Sequence, residues 1–452
     1  MKFTALGGAM EVGASSYLIE IDGKRILIDC GLRIYVGNDK VATVSNVDLL
    51  PMFDMAGNVD AICVTHAHID HIGALIEAMR RFPKAFIFMT VPTFPLTVTM
   101  LLDMIKRVER DYGQTHPFKN FSEDTLERLA DRVLTVKFRQ TFRPFSDSSL
   151  SVTFFCAGHI LGAAGIFIEG KEGTVFFTGD FSLAAERTVP GADFAVGNNV
   201  DLLVIETTYG DQFHSDRLVE EKKLAGVVSS ALTRGGKVLI PSFALSKAQE
   251  IILTLQDSQA SGAIPPVPIF VDGMVRDVCD FYEDMVQDGL FFRRDLAAPV
   301  IRVDDPETRR FVLAGSPCIV VASSGRLIGG PSVSYAKELL PDVRSAILFV
   351  SYQDEESPGH KIANMKSGDR IILDGEEIRV NANVECFNFS AHADQSQLLT
   401  LAKMLRPRSV ICVHGEPDSS LAFTRHLIQS GYSGRIAIPA NGEEIVLFDK
   451  SG

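Results

Sequence analysis

The chain has 452 residues, of which 46% are hydrophobic and 22% charged, and its formal net charge is −13. This length predicts two or three domains, and the composition excludes a disordered protein. The negative charge argues against a nucleic-acid-binding protein that depends on overall attraction, although a local basic groove or a metal centre can still supply positive charge. The seven cysteines form no C-x-x-C pair, and the N-terminus lacks a signal-peptide core, so we expect a reduced, cytoplasmic protein. No apolar segment is long enough for a membrane helix, so we expect no membrane contact.

The first 208 residues alternate short apolar runs with turn signals. Residues 12–20 and 24–29 predict a hairpin that turns at Asp22-Gly23, and helices are predicted at about 95–112 and from Ser122. Further strands are predicted at residues 59–64, 85–89, 150–157, 165–169, 174–178 and 201–205. Strands with helices between them predict two sheets packed face to face, with helices outside.

From about residue 209 the pattern changes to a regular alternation of strands and helices. Strands are predicted at residues 237–241, 267–271, 318–322 and 346–350, with helices between them. This order predicts a parallel sheet with crossover helices, which forms a domain inserted into the first. The predicted division is 1–208 for the first part of the first domain, 209–375 for the insert and 376–452 for the return segment. Short strands, a strand at 409–413 and a final hairpin-like pair are predicted near the end of the chain.

A cluster of metal-ligand residue types follows the predicted strand at residues 59–64. His66, His68, Asp70 and His71 lie within six residues, at the turn where this strand is followed by a helix. Neutral imidazole and carboxylate are ligands that zinc-like divalent metals prefer. The alternative is that these are polar turn residues without a metal, but four such groups at a buried strand end favour a metal site.

Further residues of the same chemical types follow other predicted strands. His159, Asp180 and His414 each come directly after a strand, and Asp29 lies at the end of another. A single histidine or aspartate at such a position is usually a polar cap. Together they favour a functional site, because open sheets place their chemistry at one set of strand ends. Six of the ten histidines fall in such motifs, whereas the other four, including His214, lie in polar or helical surroundings.

The ordered motifs T-H-A-H-I-D-H-I-G, G-H, T-G-D, E-T-T-Y-G, S-A-H-A-D and V-H-G-E resemble the β-CASP branch of the metallo-β-lactamase superfamily through nearly the whole chain. The resemblance implies an α/β fold: a metallo-β-lactamase αββα sandwich with an inserted parallel-sheet α/β (β-CASP) domain. The S-A-H-A-D motif is closer to the endonuclease of pre-mRNA 3′-end processing than to RNase J. We therefore expect a protein similar to the short bacterial homologues, without an N-terminal KH-like extension or a long C-terminal tail.

The resemblance also implies two divalent metal ions per chain, most often zinc. Its predicted ligands are His66, His68 and His159 for one ion, Asp70, His71 and His414 for the other, and Asp180 between both. Asp29 is expected to orient one of these ligands through a hydrogen bond. Two such ions activate a water for attack on phosphorus, so Asp70 is also expected to be essential for catalysis.

Two further residues are implied in proton transfer. His392 is expected to donate a proton to the leaving oxygen, and Glu206 to fix the tautomer of His392. Tentative contacts with the substrate phosphate are predicted for Lys247, Ser323, Ser324, Gly325 and Ser390. For Lys247 and for the turn at 323–326, ordinary strand-to-helix turn chemistry is an equal alternative. The sequence departs from the family at Arg326, where methionine is common, and at Ile76, where proline is usual.

The sequence thus predicts a zinc-dependent ribonuclease that hydrolyses phosphodiester bonds of single-stranded RNA and leaves a 5′-phosphate. A histidine at position 414 favours RNA, because this position is typically apolar in the DNA-processing branch. The alternatives are a DNA nuclease, another metallo-hydrolase of the same fold, or a non-catalytic RNA-binding partner. The sequence leaves open whether cleavage is endonucleolytic or begins at the 5′ end, and whether the chain forms a homodimer.

Overall fold

A computed structural model describes residues 1–33, 49–112, 121–197, 200–287 and 300–447. In these ranges the chain forms two seven-stranded sheets, one six-stranded sheet and a two-stranded hairpin. No helix in the described ranges has the length and apolar character needed to cross a membrane. All seven cysteines have free thiols.

The first part of the chain supplies most of the two large sheets. Its strands are β1 (Lys2–Gly7), β2 (Ser16–Ile21), β3 (Lys24–Ile28), β4 (Ala61–Cys63), β5 (Phe86–Thr90), β6 (Val133–Val136), β7 (Thr141–Phe142), β8 (Ser151–Cys156), β9 (Ala164–Gly170), β10 (Gly173–Phe177) and β11 (Leu202–Glu206). Its helices are α1 (Ile69–Ile72), α2 (Leu75–Arg81), α3 (Thr93–Tyr112) and α4 (Glu123–Ala130). Ser122, where the sequence predicts the start of a helix, caps α4 through a capping box with Thr125.

The second part of the chain forms the insert and then returns to the large sheets. Its strands are β12 (Val238–Pro241), β13 (Ile269–Asp272), β14 (Val300–Val303), β15 (Ile319–Ala322), β16 (Ala346–Phe349), β17 (Arg370–Leu373), β18 (Glu376–Arg379), β19 (Asn383–Cys386), β20 (Ser409–Val413), β21 (Arg435–Ala437) and β22 (Glu444–Val446). Its helices are α5 (Arg217–Thr233), α6 (Lys247–Ala260), α7 (Met274–Gln287), α8 (Pro306–Ala314), α9 (Pro331–Leu339), α10 (Pro358–Ala363), α11 (Gln395–Leu405) and α12 (Pro417–Gln429).

The two seven-stranded sheets pack face to face. Their spatial orders are β22-β1-β2-β3-β4-β5-β6 and β21-β20-β11-β10-β9-β8-β7. Phe3 and Ile19 of the first sheet share one buried cluster with Phe154 and Val204 of the second. All five residues of β11 are buried, because the opposite face of this sheet is covered by helices. The predicted sandwich with an inserted parallel sheet is thereby confirmed.

The last two strands differ from the prediction of a hairpin-like pair. β21 pairs in parallel with β20 in the second sheet, whereas β22 pairs antiparallel with β1 in the first. The chain therefore crosses from one sheet to the other between these strands. The hairpin interpretation was wrong because closeness in sequence does not show which sheet edge each strand completes.

The strands that carry the predicted ligands run in one direction within each sheet. In the first sheet β3 and β4 are parallel. In the second sheet β10, β11 and β20 are parallel, and β8 has the same direction because both β8 and β10 pair antiparallel with β9. The carboxyl ends of these strands therefore meet at the same edge of their sheet, where the predicted site residues lie.

All strands of the six-stranded sheet are parallel, in the order β14-β13-β15-β12-β16-β19. Val238 and Ile240 face one buried cluster, whereas Leu239 faces another. Both faces of this sheet are therefore covered, as is usual for parallel sheets.

The strand pairing favours an end of the insert later than the predicted residue 375. That boundary divides the hairpin of β17 and β18, and the following strand β19 pairs with β16 inside the insert's sheet. We propose that the insert continues to residue 386 and that the sandwich resumes after it. Two chain segments then connect the domains: residues 207–216 leave the sandwich after β11, and residues 387–394 return after β19. We call them the outgoing and the returning crossing.

Candidate metal centre and proton donor

The turn between β4 and α2 supplies four of the predicted ligands. His66 and His71 are buried, and His68 precedes the four-residue helix α1, which contains Asp70 and His71. The backbone carbonyls of Asp70 and His71 accept hydrogen bonds from Ser15 and Cys30. These contacts fix the turn against the loops that follow β1 and β3.

Glycines set the backbone before two other predicted ligands. Gly158 precedes His159 with φ +71°, and Gly179 precedes Asp180 with φ +56°. A Cβ atom at Gly158 would lie 2.5 Å from the backbone nitrogen of Ala192. Only glycine combines the left-handed conformation with this close approach at no steric cost, so both ligands turn sharply out of their strands.

One group of donor atoms comprises His66, His68, His159 and Asp180. His68 Nδ1 lies 3.1 Å from His66 Nε2 and 3.2 Å from His159 Nε2. Asp180 Oδ2 lies 3.5 Å from His66 Nε2 and 3.8 Å from His159 Nε2. Three nitrogens and one oxygen therefore converge on one point.

A second group comprises Asp70, His71 and His414. Asp70 Oδ2 lies 3.4 Å from His414 Nε2, and Asp180 Oδ2 lies 3.2 Å from His71 Nε2. Asp180 thus contacts donors of both groups. The structure brings all seven predicted ligands together, and a third group of donor atoms comprises Asp180, Glu206, His392 and His414.

The donor set fits a divalent metal. Metal–nitrogen bonds of about 2.0–2.1 Å in a tetrahedral site place neighbouring donors about 3.3–3.4 Å apart, close to the spacings in both groups. Asp180 Oδ1 is buried and has no hydrogen-bond partner among the described residues, although His414 Nδ1 lies 3.3 Å away. A buried carboxylate oxygen without a donor is costly in a protein interior unless a cation or water satisfies it.

Hydrogen bonds on the far side of the rings orient the donor nitrogens. His159 Nδ1 donates to the carbonyl of Ala391 at 2.9 Å, so its Nε2 keeps a free lone pair. His71 Nδ1 lies 2.8 Å from Asp29 Oδ2. Asp29 also accepts from the backbone and hydroxyl of Thr65, each at 2.7 Å. Asp29 therefore has the predicted position for orienting a ligand.

The electrostatics favour three neutral imidazoles beside two ionised carboxylates, but Asp180 outweighs burial and raises the pKa of a fourth imidazole, His71. Burial lowers the pKa of His66 and His159, and it lowers the pKa of His68 to about 4. Burial opposes ionisation of Asp70 and Asp180, but nearby histidines outweigh it and lower the pKa of both carboxyls. A metal requires neutral imidazole and ionised carboxylate ligands, so binding at His71 must displace a proton.

His392 and Glu206 form a pair beside the metal donors. His392 Nδ1 lies 3.0 Å from Glu206 Oε2, and 22% of the His392 side chain is exposed. Burial would lower the pKa of His392, but Glu206 raises it to about 9. Glu206 is itself fixed, because it accepts hydrogen bonds from the Phe181 amide at 2.7 Å and the Thr208 hydroxyl at 2.6 Å. Glu206 thus favours the protonated imidazole.

The predicted phosphate contacts have varied surroundings. Ser390 lies in the returning crossing, where its hydroxyl accepts from the His392 amide at 3.1 Å. The turn of Ser323, Ser324 and Gly325 follows β15, and the Ser324 hydroxyl donates to the Gly329 carbonyl at 3.1 Å. For these residues a phosphate contact stays a prediction.

Lys247 has protein partners in place of the predicted phosphate. Its ammonium group is buried, lies 3.3 Å from Glu186 Oε1 and donates to the carbonyl of Phe389. Lys247 belongs to the insert, Glu186 to the segment after β10, and Phe389 to the returning crossing. The structure therefore indicates that Lys247 joins the domains. The charge of Lys247 is neutralised by Glu186, which is 61 residues away in the sequence.

The sequence reasoning missed His214. This residue lies in the outgoing crossing, and its Nε2 lies 3.0 Å from the carbonyl of His392. It is five residues after the E-T-T-Y motif, and no ligand-like spacing identifies it. Its position on a segment that connects two domains is the feature of the sequence that could have identified it.

Three sequence families match successive parts of the chain. The Metallo-beta-lactamase superfamily domain matches residues 18–208, and the Beta-Casp domain matches residues 248–362. The Zn-dependent metallo-hydrolase RNA specificity domain matches residues 377–439. The first two matches correspond to the sandwich and the insert, whereas the third begins at residue 377, before the end at residue 386 that we propose for the insert.

Several relatives match over most of the chain. The "Transcription termination factor FttA" of Pyrococcus abyssi is 34% identical and aligns with 93% of this chain and 67% of its own length. The "Probable RNase MJ4" of Methanocaldococcus jannaschii is 30% identical over 98% of this chain and 100% of its own length. A solved structure, a protein of unknown function from Enterococcus faecalis V583, matches the fold with a TM-score of 0.59 and 13% identity over 99% of both chains. The chain belongs to the β-CASP family of the metallo-β-lactamase superfamily, a family of metallo-hydrolases.

Proposed function

We propose that this protein is a metal-dependent ribonuclease that hydrolyses phosphodiester bonds of single-stranded RNA and leaves a 5′-phosphate. The observation that carries the proposal is the pair of donor groups joined by Asp180 beside the His392–Glu206 pair. The match to an RNA specificity domain and the relative named as an RNase support RNA as the substrate.

We propose that His66, His68 and His159 hold one metal ion, that Asp70, His71 and His414 hold another, and that Asp180 contacts both. Histidine and carboxylate donors at four-coordinate spacing favour zinc. When bound, such a pair of ions supplies an activated water and offsets negative charge on the phosphate.

The protein's own residues then complete the reaction. A 5′-phosphate product requires the ribose 3′-oxygen to leave, and this oxygen needs a proton. Because the Nδ1 proton of His392 is held by Glu206, the proton on Nε2 is the one available for transfer. Asp29 orients His71, and the Ala391 carbonyl orients His159, so neither ring has to reorganise during the reaction. Ser323, Ser324, Gly325 and Ser390 are proposed to contact the substrate phosphate.

The test is cleavage of labelled single-stranded RNA by the wild type, Asp70→Ala and His392→Ala, with a DNA strand of the same sequence as a comparison. The wild type should cleave RNA and contain about two metal equivalents per chain. Asp70→Ala should lose metal and activity, whereas His392→Ala should keep its metal and lose about 10²–10⁴-fold in rate. Equal activity of the three proteins would refute the assignment.

Further measurements separate the remaining alternatives. A wild type without metal would favour the non-catalytic RNA-binding partner, and preferential cleavage of DNA would favour the DNA nuclease. A long RNA with blocked ends decides the direction of cleavage, because only an endonuclease can start on it. Light scattering would decide whether the chain forms a homodimer, and fractionation of cells would test the cytoplasmic location.

A further inference from the structure

The proposed proton donor and its partner lie at different crossings between the domains. Glu206 ends β11 directly before the outgoing crossing, whereas His392 lies in the returning crossing. The hydrogen bond between them therefore joins two segments that are 186 residues apart in sequence. Any displacement of one crossing against the other would alter the position of His392.

Backbone and side-chain contacts hold the two crossings together. Tyr209 forms a parallel β-bridge with Asp394. Directly after the returning crossing, Gln395 donates from its backbone to the carbonyl of Gln212 at 2.9 Å and from its side chain to the carbonyl of Gly210 at 2.8 Å. These contacts fix the two segments side by side at one end of the returning crossing.

His214 contacts the returning crossing at three points. Its Nε2 donates to the carbonyl of His392 at 3.0 Å, since a carbonyl can only accept. Its Nδ1 then accepts from the side-chain amide of Asn388 at 3.3 Å, and its backbone amide donates to Asp394 Oδ2 at 3.1 Å. His214 thus contacts the proposed proton donor and one residue on each side of it in the sequence.

The ring of His214 is held in the plane that these contacts need. The ring of Tyr209 packs edge-on against it, with centroids 4.8 Å apart, and also lies 6.1 Å from the ring of His392. Burial lowers the pKa of His214, which favours the neutral ring with one donating and one accepting nitrogen. The two nitrogens therefore have different roles.

We propose that His214 is a positioning residue, which joins the two crossings and so places His392 for proton transfer. This inference rests on the proposed function of His392. His214 bonds to the carbonyl and the flanking residues of His392 rather than to the metal donors. Its loss should therefore misplace the proton donor while the metal centre stays intact.

The first experiment compares His214→Phe and His214→Gln with His426→Phe, a surface variant far from both crossings in sequence. Each is assayed on RNA and on bis(p-nitrophenyl) phosphate, whose acidic leaving group departs without a proton. For His214→Phe, kcat on RNA should fall about 10–100-fold with little change in KM, and the ester rate should fall much less. His214→Gln should recover part of the loss, because its amide nitrogen can reach the carbonyl of His392.

Two readouts separate misplacement from a general structural defect. The metal content of His214→Phe should equal that of the wild type, and hydrogen exchange should become faster in residues 207–216 and 387–395. Unchanged RNA cleavage, or an equal loss on both substrates together with metal loss, would overturn the proposal. A wild type that cleaves no RNA would refute the proposed function, whereas unchanged hydrogen exchange would by itself refute the joining of the crossings by His214.

Discussion

Replacing Glu250 by glutamine should weaken the junction between the sandwich and the insert. Glu250 lies on α6 of the insert and is fully buried. Its Oε1 accepts from Arg217 Nη2 at 2.7 Å and lies 3.5 Å from Arg187 Nη1, while its Oε2 accepts from the Thr188 amide at 3.0 Å. Arg187 and Thr188 belong to the sandwich segment that begins at Asp180. One buried carboxylate therefore joins this segment to the insert.

The size of the effect follows from the bonds that change. The hydrogen bonds that the carboxylate accepts from Arg217 and from the Thr188 amide are each worth about 1.5–3 kcal/mol. Arg217 keeps ion pairs with Glu186 at 3.1 Å and Glu221 at 3.3 Å, and its side chain is 30% exposed, so other partners and water compensate in part. In either orientation of the glutamine side chain, its NH₂ group faces one of the two donors, Arg217 or the Thr188 amide. A net loss of about 2 kcal/mol in the free energy of unfolding therefore remains. This corresponds to a Tm lower by roughly 4–8 °C.

Thermal unfolding measured by calorimetry is the assay. Asp257→Asn is the matched control, since Asp257 bonds to the same Arg187 at 2.8 Å but its side chain is 38% exposed. The Asp257→Asn substitution should lower the free energy of unfolding by less than about 1 kcal/mol. A Tm for Glu250→Gln equal to that of the wild type, or to that of the control, would refute the argument that this buried carboxylate stabilises the junction.

Two further changes test the surroundings of the metal centre, and a third tests the departure from the family at position 326. Asp29→Asn should weaken metal binding about 10–100-fold by loosening His71, which competition with a chelator measures; unchanged affinity would contradict the orienting role. Gly179→Ala should cost about 1–2 kcal/mol because of its positive φ, and calorimetry that shows no loss would count against this reasoning. Arg326→Met removes an ion pair of 2.6 Å with Asp354. The free energy of unfolding should therefore fall by about 1 kcal/mol, which a lower Tm would show. A change in KM for RNA would show, in addition, that the departure at position 326 affects the substrate.

The convergence of the predicted metal ligands follows from information that is local in the sequence. Each predicted ligand follows a strand, and the direction of the strands brings those ends to one edge. Asp180 and His414 illustrate this, since they follow β10 and β20, which flank β11 in the same sheet. Residue types and positions at strand ends predicted a functional site, and the resemblance to the family supplied the two sets of ligands.

Contacts between distant segments could not be predicted in this way. Lys247 and Phe389 are 142 residues apart, and His214 and His392 are 178 residues apart. Both pairs depend on how the insert packs on the sandwich, which no local pattern records. The end that we propose for the insert differs from the predicted one for a related reason. In the sequence β19 is only a short strand, and its pairing with β16 is what favours its assignment to the insert.

The metal donors and the proton donor depend on different parts of the fold. All seven predicted ligands lie in the sandwich, whereas His392 lies on the segment that returns from the insert. Changes at Asp29 or Gly179 should therefore reduce metal content and rate together. Changes at His214 should reduce the rate while metal content is kept. If variants of both kinds lost metal equally, the crossings would be structural supports of the metal centre, and the separate placement of the proton donor by the insert would be wrong.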